Sequence, residues 1–323
     1  MSAISVYINK ASSNASQIRW EESLRRVLFR SDLNFKYTRT VSELIYEIEK
    51  DKLNGVDTII SVGGDGTVHT LIQNLVYSDI NLLIAPGGTA NDLACELNVG
   101  KKIKEITYLL RNKKKKKIDL ISVNRRFMAT NGGIGLASHV VSKINDLRVR
   151  YPLFKSIMGK TGRTIYPFMA TTELFSSSFQ LYDFYIESRE FTGKIQAPLI
   201  MVNNQKKFGQ SFEIAPYTKN DDGLFNITIF KHKNRLQFAQ AMLRFSQGQD
   251  SVFDSNIISF ETSSAVITNL TKDRDLNFFG DGEVFHKESS EQYWEINNLK
   301  KALTVYGGEE ICPYATGMEV DLS

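Results

Sequence analysis

Ser61-Val-Gly-Gly-Asp-Gly-Thr-Val-His69 is the stretch on which the reading of the whole chain turns. Ahead of it, Asp57-Thr-Ile-Ile-Ser-Val62 is β-branched and apolar, the composition of a buried parallel strand. Behind it, Val68, Leu71, Ile72, Leu75 and Val76 recur at i, i+3, i+4, i+7 and i+8, one face of an amphipathic helix. Gly63, Gly64 and Gly66 are therefore expected in a strand-to-helix turn, where glycine permits positive φ and lets a ligand approach bare backbone. The helix beyond presents unpaired N–H groups and the positive end of its dipole. Such a turn suits a polyphosphate; the plain alternative is a tight βα turn with no ligand. No lysine follows the glycines, so this is not a Walker A loop. Gly159-Lys160-Thr161 is no substitute, because Phe154 stands where that motif needs its upstream glycine. Phosphate charge must then be met by backbone N–H groups, a metal and Asp65. A carboxylate beside phosphates is repulsive unless a divalent cation lies between them, so Asp65 implies Mg²⁺, directly or through water.

Outward from this turn the pattern repeats. Upstream, Ala3 to Ile8 reads as a strand. Gln17 to Phe29 reads as a helix turning Ile18, Leu24, Val27 and Leu28 to the sheet. Phe35 to Thr38 is a short strand, and Val41, Leu44, Ile45 and Ile48 mark a second helix. Downstream, Asn81 to Ala85 is a strand ending in Pro86-Gly-Gly-Thr-Ala-Asn-Asp92, followed by short helices near 91–97 and 103–110. Alternating strands and helices predict a parallel sheet with right-handed crossovers. Ligands on such sheets bind at the carboxyl ends of the strands, where both glycine turns lie.

After Arg111 to Lys117 the character changes. Ile118 to Val123 and Arg126 to Thr130 read as strands, followed by Asn131-Gly-Gly-Ile-Gly135. From about Pro198, strands dominate: Leu199 to Val202, Ser211 to Ile214, Leu224 to Phe230, Ser264 to Thr268, Leu276 to Gly280 and Tyr293 to Ile296. One helical excursion spans Gln237 to Phe245, and Ala137 to Phe175 contains helix that the pattern does not place. The expected fold is an N-terminal α/β domain followed by an antiparallel β-sandwich. The expected boundaries are 1–122, joined by a returning strand within about 303–323, and 123–302.

Composition narrows the function. A chain of 323 residues favours two domains, and 42% hydrophobic residues suffice for a real core. Lys+Arg 40 against Asp+Glu 36 leaves only +4, but basic residues concentrate at Arg111 to Lys117 and at Lys143, Arg148, Arg150, Lys155, Lys160 and Arg163. Local basic patches on a mild net charge suit an anionic surface and not sequence-specific nucleic acid. Cys95 and Cys312 have no CxxC partner, which argues against zinc or disulfides and for a reducing compartment. The histidines at 69, 139, 232 and 286 show no metal-ligand spacing and receive no role. The start is strand-like, and no apolar run reaches the length of a membrane span. The expectation is a cytoplasmic protein that at most lies on a membrane.

Three further turns carry polar chemistry. In Pro86 to Asp92, Thr89 offers a hydroxyl to a phosphate or caps the next helix, and Asp92 holds a metal's water shell or stabilises the helix start. Lys219-Asn-Asp-Asp-Gly-Leu224 is either a hairpin turn or a binding loop for a hard cation. Gly280-Asp-Gly-Glu283 is either a turn or the place of a carboxylate that accepts an alcohol's proton as phosphorus is attacked.

Taken in order, Gly63-Gly-Asp-Gly-Thr67, Pro86-x-Gly-Thr-x-Asn-Asp92, Asp222-Gly223 before a strand, and Asp281-Gly-Glu283 resemble the diacylglycerol kinase catalytic-domain family. That family includes bacterial lipid kinases and the sphingosine and ceramide kinases. The likeness covers nearly the whole chain. The first motif is shared with NAD kinases and phosphofructokinases; the second, together with Asp-Gly-Glu, is more specific to lipid kinases. The resemblance implies an active site in the cleft between the two domains. It implies ATP contacts from Gly63, Gly64, Asp65, Gly66, Thr67, Val68, His69, Thr70, Gly88, Thr89 and Asn91, and from Asn9 and Thr38 for the adenine nucleotide. It implies Mg²⁺ organised by Asp65, Asp92 and Asp222, with the carbonyls of Lys219 and Leu224 completing a cation site. Asp281 or Glu283 is the implied base. After Asn9 the chain departs from the family's Asn-Pro-x-Ser-Gly, reading Lys10-Ala-Ser-Ser13.

The implied activity is ATP- and Mg²⁺-dependent phosphorylation of a lipid hydroxyl, on diacylglycerol, a sphingoid base or ceramide. The alternatives are an NAD kinase-like enzyme and a nucleotide sensor without catalysis. The implied partners are ATP, a membrane lipid and an anionic membrane surface met through Arg111 to Lys117 or Lys143 to Arg163. Nucleic acid is not among them, and a homodimer is compatible with the reading.

Overall fold

The computed structural model describes residues 3–9, 20–29, 31–88, 91–150, 179–208, 212–247, 254–271, 276–286 and 292–308. The chain divides into two compact units, 1–118 with 301–323, and 119–300.

The first unit is built on parallel strands β1 (Ala3–Ile8), β2 (Asp32–Lys36), β3 (Thr58–Gly63) and β4 (Asn81–Pro86), in the order β2-β1-β3-β4. β3 is buried along its whole length, which its run of Ile, Ser and Val requires. The connecting helices are α1 (Trp20–Val27), α2 (Val41–Leu53), α3 (Asp65–Leu75), α4 (Asp92–Glu96) and α5 (Ile103–Arg111). In α3, Val68, Leu71, Ile72 and Leu75 are buried, as the period predicts. In α2 only Leu44 and Ile48 of the expected stripe are buried; Val41 and Ile45 are exposed. That helix is instead anchored by charge. Lys36 pairs with Asp51 at 2.7 Å and Glu47 at 2.9 Å, and the Tyr7 hydroxyl donates to Asp51 at 2.6 Å. The ammonium holds the Glu47 carboxyl below its ordinary range, and burial raises the Tyr7 phenol far above its own.

β5 (Lys115–Val123) begins inside the lysine run, three residues earlier than the sequence suggests. The chain reads Asn124–Arg125 at a turn with positive φ, then β6 (Arg126–Met128), paired antiparallel with β5. The glycine-rich Asn131–Gly135 is itself a buried strand, β7, and α6 (Leu136–Arg150) follows. Of the expected segment 137–175, residues 151–175 lie outside the described residues, as do Ile18, Lys155, Lys160 and Arg163.

Two strands precede Pro198 that the sequence reading did not place, β8 (Tyr182–Ser188) and β9 (Thr192–Ala197). Then come β10 (Leu199–Asn203), β11 (Phe225–Phe230), α7 (Arg235–Ser246), β12 (Ile257–Thr262), β13 (Ser264–Asn269), β14 (Phe278–Gly280), β15 (Glu283–Phe285) and β16 (Tyr293–Tyr306). The strand expected around Ser211 to Ile214 is only an isolated bridge between Phe208 and Phe212. The two strands expected near the end are one, β16, whose last part pairs parallel with β4 through Val305 and Leu82.

In the second unit β16, β13, β8 and β9 form one antiparallel sheet, and β12-β11-β10-β7-β14-β15 the other. Side chains alternate across β10. Ile200 and Val202 join a core with Tyr182, Phe184, Ile267 and Trp294 of the facing sheet, while Leu199 and Met201 pack with Phe238 and Phe245 of α7. One sheet is thus covered on both faces, by the other sheet and by helices. This is why Leu-Ile-Met-Val reads as a continuous apolar run.

Candidate active site

In the first unit the strand order places a topological switch between β1, whose chain moves outward to β2, and β3, whose chain moves the other way to β4. Ligand crevices open at the carboxyl ends on either side of such a switch. Those ends carry Asn9 after β1 and Gly63 at the end of β3. Asn9 spans the gap, its Nδ2 donating to Thr67 Oγ1 at 2.9 Å and its N–H to the Val62 carbonyl at 3.0 Å. Thr38 stands just past the end of β2, on the neighbouring strand.

The three glycines of the first turn play three different parts, and none has positive φ. Gly63 ends β3, Gly64 is the extended N-cap of α3, and Gly66 is exposed in the helix's first turn. What the motif needs is closeness. A Cβ on Gly88 would lie 2.5 Å from Gly64 Cα, and the Gly87 N–H donates to the Gly63 carbonyl at 2.8 Å. The two glycine turns are packed backbone to backbone.

Side chains lock that contact. Asp65 accepts the Asp92 N–H on Oδ1 and the Asn91 N–H on Oδ2, each at 3.0 Å. Asn91 is left-handed at φ 54, accepts the Gly88 N–H at 2.9 Å and donates back to the Gly88 carbonyl at 2.8 Å. Asp65 therefore has work inside the protein, as the clamp on the second turn and the start of α4, whether or not a cation is present. Val68 turns its side chain into the core, and the Thr70 hydroxyl donates to the Gly66 carbonyl at 3.0 Å. His69 is half-buried on α3. Thr89 lies outside the described residues.

The second unit holds the other turns. Lys219, Asp222 and Leu224 share one turn, held from β5 by a residue the sequence reading missed. Asp119, fully buried, accepts the Gly223 N–H at 2.6 Å and donates its own N–H to the Asn220 carbonyl at 2.6 Å. Gly223 has φ +85, and the Lys300 side chain lies where a Cβ there would project. Asp222 accepts the Leu224 N–H at 3.0 Å, and the Leu224 carbonyl accepts from Asn298 Nδ2 at 3.2 Å. Burial raises the Glu261 carboxyl of β12, and the Asp222 charge adds to the rise against the opposing pull of Lys219.

Asp281 and Glu283 sit at the β14–β15 turn, Asp281 left-handed at φ 54. The Asp281 carboxylate faces the segment between β6 and β7. It accepts the Thr130 N–H at 2.8 Å, the Thr130 hydroxyl at 2.7 Å and the Ala129 N–H at 3.1 Å. Glu283 opens β15 and is half-buried.

Among the described residues no group of three or more His, Cys, Asp or Glu side chains converges to hold a metal. Asp65 and Asp92 are the two carboxylates at the packed glycine turns, both Asp65 oxygens being taken by backbone N–H groups. In the 219–224 turn the Leu224 carbonyl already accepts one hydrogen bond and a lysine stem crosses Gly223, so a cation there would share its donors.

With this geometry in hand, similarities become informative. The diacylglycerol kinase catalytic-domain profile matches residues 3–123, and the YegS C-terminal NAD kinase beta sandwich-like domain matches 135–306. A Bacillus subtilis diacylglycerol kinase is 24% identical over 253 residues, 76% of this chain and 77% of that one. A Staphylococcus carnosus relative with a provisional lipid-kinase name is 27% identical over 187 residues, and the chain spans 57% of its length. A Bacillus anthracis diacylglycerol kinase structure superposes with a TM-score of 0.68 at 19% identity, covering 95% of this chain and 97% of that one. A yeast NADH kinase complexed with NADH shares the fold more distantly, with a TM-score of 0.53 at 9% identity over 98% of this chain and 86% of that one.

Proposed function

The chain belongs to the diacylglycerol kinase catalytic-domain family, and on that premise we propose that it moves the terminal phosphoryl group of ATP onto the hydroxyl of a lipid, diacylglycerol first among the acceptors. The observation that carries this reading is the packed pair of glycine turns at the sheet's switch point, with Asp65 and Asn91 locking one to the other. A phosphate chain set against these turns would meet the N–H groups that open the eleven-residue α3.

In this reading Asn9, Gly64, Gly66 and Thr67 line the phosphates, Thr38 borders the adenine nucleoside, and Gly88 and Asn91 belong to the second wall. When bound, Mg²⁺ offsets the charge that Asp65 and Asp92 would otherwise set against the phosphates. The acceptor's oxygen attacks the γ-phosphorus, the bond to the β-bridging oxygen breaks, and ADP leaves. The proton of the acceptor hydroxyl passes to a carboxylate of the β14–β15 turn. Asp281 already holds three donors from residues 129 and 130, two of them on Oδ1 alone. We therefore assign the proton to Glu283 and the shape of the turn to Asp281. Positioning and electrostatics do most of the work in such a transfer, because the leaving group and nucleophile need little covalent help.

The experiment is an acceptor panel. The protein is incubated with γ-labelled ATP and Mg²⁺ together with diacylglycerol, a sphingoid base, ceramide and NAD. Label in a lipid supports the reading and names the lipid. Label in NAD supports an NAD kinase-like enzyme instead, and ATP binding without any transfer supports a sensor.

A further inference from the structure

A kinase acting on lipid must meet a bilayer, and one helix of the second unit is built for that meeting. α7 buries Phe238, Ala241 and Phe245 against the sheet beneath it. At 100° per residue the direction opposite that stripe runs through Leu236, Gln240, Leu243 and Gln247. Leu236 is 61% exposed and Leu243 58%. They stand two turns apart on the crest of the helix, about 10 Å from one another. Single surface leucines are ordinary; these two are aligned on the side of the helix away from Phe238 and Phe245.

The charge along this segment has one sign. From Lys231 to Gln247 the chain carries Lys231, Lys233, Arg235 and Arg244, and no Asp or Glu. Arg244 is matched by Asp254 at 2.5 Å. Lys233 and Arg235 flank the N-cap Asn234, and both are exposed. Cations at a helix N-terminus oppose its dipole, so helix stability does not explain them. The Arg235 guanidinium lies 5.9 Å from the centre of the Phe179 ring, and an anionic surface outside the protein would meet it together with Lys233.

We propose that the exposed face of α7 docks on an anionic bilayer, Leu236 and Leu243 entering the boundary between headgroups and acyl chains while Lys231, Lys233 and Arg235 lie against lipid phosphates. The proposal rests on the lipid-kinase reading for its purpose and places docking on this helix instead of on Arg111 to Lys117 or Lys143 to Arg163.

The test uses the full chain and sedimentation with vesicles of phosphatidylcholine, with or without phosphatidylglycerol. The parent protein is expected to bind the mixed vesicles, to lose binding as salt rises, and to bind phosphatidylcholine alone weakly. Leu236→Ser with Leu243→Ser, and separately Lys231→Gln with Lys233→Gln and Arg235→Gln, should each weaken binding about tenfold or more. Both variants should keep the parent's thermal unfolding and its turnover on lipid dispersed in detergent. Binding by either variant equal to the parent's overturns the proposal, as does a parent indifferent to phosphatidylglycerol. Loss of self-association by the leucine variant with vesicle binding intact would assign the face to a second copy of the chain and also overturn it. If no lipid is phosphorylated even in detergent while the vesicle pattern holds, the kinase reading fails and the docking surface stands.

Discussion

Replacing Asp65 by Asn separates the two jobs that residue can do. Its two oxygens accept the N–H groups of Asn91 and Asp92, each at 3.0 Å. Asparagine keeps one acceptor and turns an NH₂ toward the other N–H. One charge-assisted hydrogen bond becomes neutral, and the second becomes donor against donor. Hydrogen bonds to charged groups contribute about 1.5–3 kcal/mol, neutral ones about 1, and a stranded donor costs about 1–3. Allowing for relaxation of the partly exposed turn, about 2–4 kcal/mol is removed from the closed state around Asn91 and Asp92. At about 1.4 kcal/mol per tenfold, amide exchange at Asn91 and Asp92 should quicken by roughly thirty- to seven-hundred-fold. The amides of β3 should keep their protection. The assay is hydrogen exchange read by NMR or mass spectrometry, alongside ATP titration with and without Mg²⁺. ATP affinity should fall in both titrations, because the wall of the phosphate site has moved. Unchanged protection at Asn91 and Asp92, with ATP binding weakened only when Mg²⁺ is present, would refute the clamp and leave Asp65 serving the metal alone.

Other perturbations have equally definite outcomes. Gly88→Ala places a Cβ 2.5 Å from Gly64 Cα, so it should push the turns apart, destabilise by about 1–3 kcal/mol and raise the KM for ATP; wild-type melting and KM would show that the contact is slack. Glu283→Gln should lower kcat by about 10²–10⁴-fold with Tm unchanged, whereas Asp281→Asn should lower Tm as well, since it loosens residues 129 and 130; a Glu283→Gln enzyme within tenfold of wild type removes that residue as base. His232 is 1% exposed between Phe230 and Phe238, and burial lowers its pKa from 6.5, with Asp254 pulling partly the other way. The folded state resists a proton that the unfolded chain takes up, so stability should fall as pH drops below about 6.5, by at most about 1.4 kcal/mol per pH unit. Thermal melts across that range check this, and His232→Leu should flatten the slope; an unchanged slope places the titration elsewhere.

The sequence shows most plainly what is local. A β-branched run, three glycines and a helical period within twenty residues leave little choice, and β3, α3 and the second glycine turn lie where they predict. The reason for the glycines is not local. Close approach of Gly64 and Gly88 joins positions in separate turns, and the sequence suggests positive φ because that is what glycine most often signals. Asp119 carries no signal either, being one acid in a strand whose partner Gly223 comes about a hundred residues later. The Asp281 grip on Thr130 is equally remote in sequence. β9 reads Thr-Gly-Lys-Ile-Gln-Ala, an edge strand too polar to announce itself, whereas β8 alternates Tyr182, Phe184 and Ile186 inward and was there to be read. The lysines that open β5 look like a solvated loop because charge hides a strand whose pairing is backbone. The exposed Val41 of α2 shows that a period finds a helix's face without telling how much of it the sheet will cover.

The measurement closest to the central claim is single-turnover transfer from γ-labelled ATP to diacylglycerol in mixed micelles, with enzyme in excess over ATP. Label is expected in the lipid phase in proportion to ATP consumed, dependent on Mg²⁺ and appearing about 10²–10⁴-fold more slowly in Glu283→Gln while that variant still binds ATP. Label released only as inorganic phosphate, or transferred as fast by the Glu283→Gln protein, would contradict the claim.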